Sequence, residues 1–297
     1  MITAAHDTAQ RDVRSEIRRI NDVVPFPPAV TEILQAVSSG DATLARIAAL
    51  IGSDPAMTAK ILHVANSPFY GLRRDVTDIP QALRMLGMDE IGHLVLTYQM
   101  RSRLQSLDDR QRGTLERLWR HSVSVAVTAR LLAERFRLPT EGKEYTAGLL
   151  HDMGKLVIIQ HFPEQYRSVE TLVESGGITD LEAEKQVLAI DHTEIGKQLG
   201  ERWRLPKEYL DAMQYHHRPV ASPNFALLCA VVRSADLLTE GWDSGIGERS
   251  IGLDPAEDWS TVLSEHVPSI TVDSPSATAD DLFASFEEHS DLFASMM

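Results

Sequence analysis

The chain has 297 residues, 43% hydrophobic and 24% charged, the proportions of a globular protein able to bury a sizeable core. A formal charge of −14 argues against a general nucleic-acid binder, and no apolar run approaches the ~20 residues of a membrane helix. Cys229 is the single cysteine and the polar N-terminus has no secretory core, so no internal disulfide is expected and the expected compartment is the cytoplasm.

Residues 1–16 read as an N-terminal extension. Arg11, Arg14 and Arg18 share about one helical face, but Asp12 and Glu16 dilute it, which favours a solvated surface over strong nucleic-acid binding. From residue 17 the chain reads as helices throughout. "TEILQAVS", "LARIAALIG", "AMTAKILHVAN" and "IPQALRMLGMDEIGHLVLTYQM" repeat apolar residues at i, i+3, i+4 and i+7. Asp41 and Ser53-Asp54-Pro55 precede such runs, as N-cap residues and an early helical proline should. "VVPFPPAV", "NSPFYGLRRDVTD" and "ESGGITD" supply breaks, and "NSPFYG" reads as a helix-ending turn with Phe69 and Tyr70 packed inward.

A polar stretch at 104–114, "LQSLDDRQRGT", reads as a boundary between an N-terminal helical region (17–110) and a second one (111–240), or equally as a turn within one domain. Residues 243–297 hold twelve Asp and Glu against one Arg, so −11 of the −14 belongs to this end and the body is nearly neutral. With "DSPSATADD" inside it, the segment 241–297 is expected to be an acidic, largely flexible tail. Its end repeats "DLFAS" ten residues apart and places Leu282, Phe286, Phe293 and Met296 roughly on one helical face. Two readings stand for it: a short helix folded back on the body, or a pair of peptides that dock in a partner's groove.

The chemistry lies in the second region. "AGLLHDMGKLVIIQHF" sets Asp152 in one of the most apolar runs of the chain, and a buried carboxylate needs a metal, a partner side chain or a helix end to compensate it. His121, His151, Asp152, His192, His216, His217 and Asp236 lie in or beside helical runs and together would suit a divalent ion, the mixture of imidazole and carboxylate leaning toward Fe or Mn rather than Zn. Taken singly, each has a plainer reading as a hydrogen-bonded core histidine or a local cap. "HFPEQY" and Glu182 to Lys185 read as ordinary helical surface.

"PFPPAVTEIL", "LIGSDPAMTAKILHVANSPFYG" and "IPQALRMLGMDEI", followed by "LWRHSVSVAV", "AGLLHDMGKL", "IDHTEIG", "RWRLP" and "YHHRP", resemble the HDOD family over roughly residues 17 to 240. That family is a variant of the HD superfamily of metal-dependent phosphohydrolases found in bacterial signalling proteins. The resemblance implies an all-α fold, an HD-like domain preceded by an N-terminal helical region. In relatives that hydrolyse cyclic di-GMP, the matching residues bind two or three metals. Carried over, His121, His151, Asp152 and Asp236 would hold one ion. Asp152 as a bridge, with His192, His216 and His217, would hold a second. Lys155 occupies the position that contacts substrate phosphate in those enzymes, and its plainer reading is a solvated lysine.

The sequence departs from those hydrolases in two places. "HHRPVASPN" stands where they carry a Gly-Tyr-Pro segment, and Arg117 takes the place of a glutamate that serves a third metal, Glu116 being one residue out of register. The resemblance therefore implies a regulatory module more than an enzyme, with response regulators or cyclic-nucleotide enzymes as partners. The alternative is a phosphohydrolase acting on a nucleotide or cyclic dinucleotide, with Asp152 and Lys155 in the reaction.

Overall fold

The computed structural model describes residues 16, 30–33, 35, 43–67, 74–105, 111–242, 255–268, 270 and 272–296, and its regular structure is helical, with no strand among those residues. Short polar side chains start the first helices. Thr43 caps α1 (Leu44–Gly52) by accepting the Arg46 N–H at 3.3 Å. Asp54 caps α2 (Pro55–Ala65) by accepting the Ala56 and Met57 N–H groups at 3.0 Å, with Pro55 where a missing N–H costs nothing. Asp78 caps α3 (Ile79–Leu86) through the Gln81 N–H. The helix start at Asp54-Pro55 is where the sequence placed it. Asp41, Phe69, Tyr70 and the arginines of the first 18 residues lie outside the described residues. Asn66, the C-cap of α2, binds Val76, its amide donating to the Val76 carbonyl and accepting the Val76 N–H.

α4 (Met88–Gln105) packs on α2 and α3 and reaches α5 (Arg112–Phe136) and α6 (Lys143–Leu150). The N-terminal helices are thereby fastened to the second region through polar contacts as well as apolar ones. Arg130 pairs with Glu90 at 2.7 Å, and the Thr97 hydroxyl lies 3.1 Å from that of Tyr145.

α5 is the axis of the second region. From Val123 to Ala129 every residue is buried, so this stretch has neighbours on all sides rather than one apolar face. Against it lie α6 and α12 (Ala226–Gly241). Gly148 permits the α5–α6 contact: a Cβ there would sit 2.8 Å from the Ala126 Cα. His151 and Asp152 form the break between α6 and α7 (Met153–His161). α7 then crosses α10 (His192–Arg202), with α11 (Lys207–Tyr215) beyond it. Between them α8 (Pro163–Gly176) and α9 (Asp180–Leu188) form a hairpin with a small apolar cluster of its own, Val169, Val173 and Ala183. α9 opens with a capping box, Thr179 and Glu182 each holding the other's N–H. Phe162 and Tyr166 of "HFPEQY" are buried in the main core, which corrects their reading as surface.

The acidic end requires a larger correction. α13 (Pro255–His266) packs on α12, with Trp259 and Leu263 fully buried and the Ser234 hydroxyl donating to the Trp259 carbonyl at 2.9 Å. α14 (Pro275–Met296) lies across α5, α2 and α4, burying Ala279 and Leu282. The segment expected to be largely flexible is helical over both stretches, because a few large apolar side chains at helical spacing anchor it beneath a charged exterior. The first "DLFAS" docks inside its own chain: the ring of its Phe283 and that of the following Phe286 lie 5.2 and 5.5 Å from that of Trp242. The side chains of the second copy, Phe293 among them, and that of Met296 lie outside the described residues. Phe283→Leu is expected to lower stability by about 1 kcal/mol through loss of the aromatic contact, read from denaturant unfolding.

Candidate metal centre

Six helices deliver the seven residues to one buried place. His121 comes from the middle of α5 and Asp236 from α12; His151 and Asp152 come from the α6–α7 break. His192 opens α10, while His216 and His217 follow α11. Six of the seven are nearly inaccessible, and His217 is half-buried.

The donor atoms fall into two sets that meet at Asp152. On one side His121 Nε2 lies 3.2 Å from Asp236 Oδ1 and 3.6 Å from Asp152 Oδ2. His151 Nε2 lies 3.5 Å from Asp152 Oδ2 and 3.9 Å from Asp236 Oδ1. On the other side Asp152 Oδ1 is 3.3 Å from His192 Nε2 and 3.7 Å from His216 Nε2. His192 Nε2 is in turn 3.5 Å from His216 Nε2 and 3.1 Å from His217 Nε2. Atoms held about 2.1 Å from a shared ion stand roughly 3.0–3.5 Å apart, so most of these separations match ligand edges and the rest, at 3.6 to 3.9 Å, lie a few tenths of an ångström beyond. The seven predicted residues are brought together.

Hydrogen bonding aims the imidazoles inward. His151 Nδ1 faces the Gly148 carbonyl at 2.6 Å, His216 Nδ1 the Ala212 carbonyl at 2.9 Å, and His192 Nδ1 the Glu184 carboxylate at 2.8 Å. A proton on each Nδ1 leaves an Nε2 lone pair for the interior. Two atoms there, His151 Nε2 and Asp152 Oδ1, are buried without a hydrogen-bond partner. Lone pairs converging on unsatisfied buried atoms are costly unless a cation lies among them, and the residues therefore fit a divalent ion.

Electrostatics around Asp152 agrees. Burial alone would raise its carboxyl, but His151, Lys155, His192 and His121 hold it well below the usual carboxylate range. Burial lowers His151, His216 and His217, so all three favour the neutral form that binds metal. His192 differs: burial pushes it down, yet the neighbouring Glu184 carboxylate brings it up to about 9 from 6.5. A proton and an ion compete for the same Nε2. Metal affinity is therefore expected to rise with pH from 6.5 toward about 9, and uptake at neutral pH to release acid in a weakly buffered titration.

Lys155 is not a solvated lysine. It is 2% exposed, with Nζ 3.0 Å from Asp152 Oδ2 and 3.1 Å from Asp180 Oδ2. Asp180, Glu184 and Arg233 also belong to the site, the last pairing with Asp236 Oδ2 at 2.7 Å, and sequence reasoning missed all three. Glu184 is 1% exposed, which corrects its reading as surface. The available signal was position: Asp180, Glu184 and Leu188 recur every four residues on the face of α9 that carries buried Ala183. Arg117, where some relatives place a third metal ligand, pairs instead with Glu170 at 3.2 Å.

Comparison with known proteins identifies the family and the fold. The HDOD domain family matches residues 23–219. An HDOD domain protein of unknown function from Geobacter sulfurreducens superposes with a TM-score of 0.78 at 26% identity, covering 98% of this chain and 97% of that one. A candidate metal-dependent phosphohydrolase from Shewanella amazonensis SB2B shares the fold, with a TM-score of 0.67 at 18% identity over 99% of this chain and 100% of its own. An uncharacterised protein of Treponema pallidum (strain Nichols) is 26% identical over 220 residues, 74% of this chain, and the match spans only 42% of that relative's length. Among the described residues, no helix is long and apolar enough to cross a membrane.

Proposed function

This chain belongs to the HDOD domain family, and from that premise we propose that it is a metal-binding regulatory module of bacterial signal transduction. The observation that carries the reading is the meeting of two sets of metal-binding atoms at the two oxygens of Asp152. His121, His151, Asp152 and Asp236 would hold one ion; Asp152, His192, His216 and His217 would hold a second. The mixed imidazole and carboxylate donors favour Fe or Mn over Zn. A divalent ion in such a site supplies Lewis acidity toward a phosphoryl oxygen and lowers the pKa of water.

The placement of Lys155 supports regulation over turnover. An ammonium that is to grip a substrate phosphate needs an open face, and this one lies buried between Asp152 and Asp180. Cytoplasmic response regulators or cyclic-nucleotide enzymes are the partners proposed for such a module.

One observation favours a second reading, phosphohydrolysis of a nucleotide or cyclic dinucleotide: all seven candidate ligands lie close to one another. An assay over cyclic and linear dinucleotides with Mn supplied separates the two. The regulatory reading expects no turnover from protein that has taken up metal. Turnover that disappears in Asp152→Asn would put hydrolysis first, with Asp152 and Lys155 as its catalytic groups.

A further inference from the structure

We propose that Glu184 is a positioning residue of the metal centre, fixing the ring of His192 for the ion it shares with Asp152, His216 and His217. The proposal rests on the metal-binding reading above and adds to it a residue that touches no ion.

Each inward-facing histidine needs an acceptor for Nδ1. His151 and His216 find theirs locally, three and four residues back, in the Gly148 and Ala212 carbonyls of the helices they terminate. His192 has no such option, because it opens α10 and no helical turn precedes it. Asp191, the N-cap, is spent: Oδ1 accepts from the Glu194 N–H and the Thr193 hydroxyl, and Oδ2 pairs with Lys185 Nζ at 2.9 Å. The acceptor must come from another element, and α9 provides it.

Glu184 Oε2 accepts twice from the same residue, from the His192 backbone N–H at 2.7 Å and from Nδ1 at 2.8 Å. Main chain and ring are thus fixed together, and Nε2 is left facing Asp152 Oδ1 at 3.3 Å. A residue that merely filled space here would resemble its buried neighbours Ala183 and Leu188. A carboxylate at this depth needs a strong donor, and a metal-bound imidazole is one.

Mn(II) titration followed by the EPR signal of free ion tests this in the full chain. The wild type is expected to show two bound ions. Glu184→Ala should weaken one of them by roughly 10- to 100-fold and leave the ion of His121, His151 and Asp236 within about twofold. Glu184→Gln keeps an acceptor oxygen without its charge and should fall between wild type and Glu184→Ala. A purely structural role would instead lower the melting temperature of both variants and leave Mn affinity untouched. Wild-type affinity in a folded Glu184→Ala overturns the proposal but not the metal reading. Should Glu184→Ala fail to fold, Glu184→Gln decides: intermediate affinity supports the role and wild-type affinity overturns it. A wild type that takes up no Mn overturns both.

Discussion

Asp152→Ala is expected to abolish tight binding of both ions, a loss of at least about 100-fold at each, measured by calorimetric titration with Mn(II) or Fe(II). The size of the effect follows from position. Oδ2 faces His121 and His151 while Oδ1 faces His192 and His216, so one side chain closes both ligand sets. Without it, the His192 Nε2 atom, 3.5 Å from that of His216 and 3.1 Å from that of His217, has no anion beside it to draw a cation into the set. His217→Ala gives the contrast, since it removes one ligand of one set and should leave the other ion in place. Asp152→Asn separates charge from shape: a neutral amide has the carboxylate's size but cannot bridge two ions through two oxygens. The fold should survive either change at Asp152, because Asp180 still compensates Lys155 at 3.1 Å.

Gly154→Ala is expected to prevent folding or to cost at least about 3 kcal/mol, and to reduce metal binding in whatever folds. A Cβ at this position would lie 1.9 Å from the His192 carbonyl oxygen, 2.7 Å from its carbon and 2.9 Å from the Gly196 nitrogen. All three are backbone atoms, so no rotamer change relieves the clash and α7 must separate from α10. That movement carries Asp152 away from His192, which ties stability to the site. Gly113→Ala is the control: it stands in the first turn of α5 with nothing within 4 Å of its Cβ, and should be neutral or slightly stabilising. Urea unfolding and Mn(II) titration of the three proteins check both halves of the expectation.

The helical class and the seven candidate residues were legible because both signals are local. Apolar periodicity marks a helix wherever it packs, and an Asp beside a His inside "AGLLHDMGKL" demands compensation. Convergence was not legible. His121 and Asp236 are 115 positions apart, and only the packing of α5 against α12 places them 3.2 Å from one another. Glu184 was hidden by composition: "DLEAEKQVL" has the charge density of a surface helix, and only its burial shows which acids face inward. Lys155 was ambiguous for the same reason, since its partner Asp180 sits 25 residues away across a hairpin. At the C-terminal end Leu282 was legible as part of an apolar helical face, but the acidic total concealed two further anchors, Trp259 and Leu263, whose burial outweighs the charge around them.

The most direct test of the account is the metal content of the wild-type chain. Protein purified without added metal, and again after anaerobic incubation with Fe(II) or Mn(II) and desalting, is analysed for elements by mass spectrometry. The account predicts about two divalent ions per chain after incubation, falling to none in Asp152→Ala. A wild type that emerges from both preparations with no stoichiometric metal would contradict it.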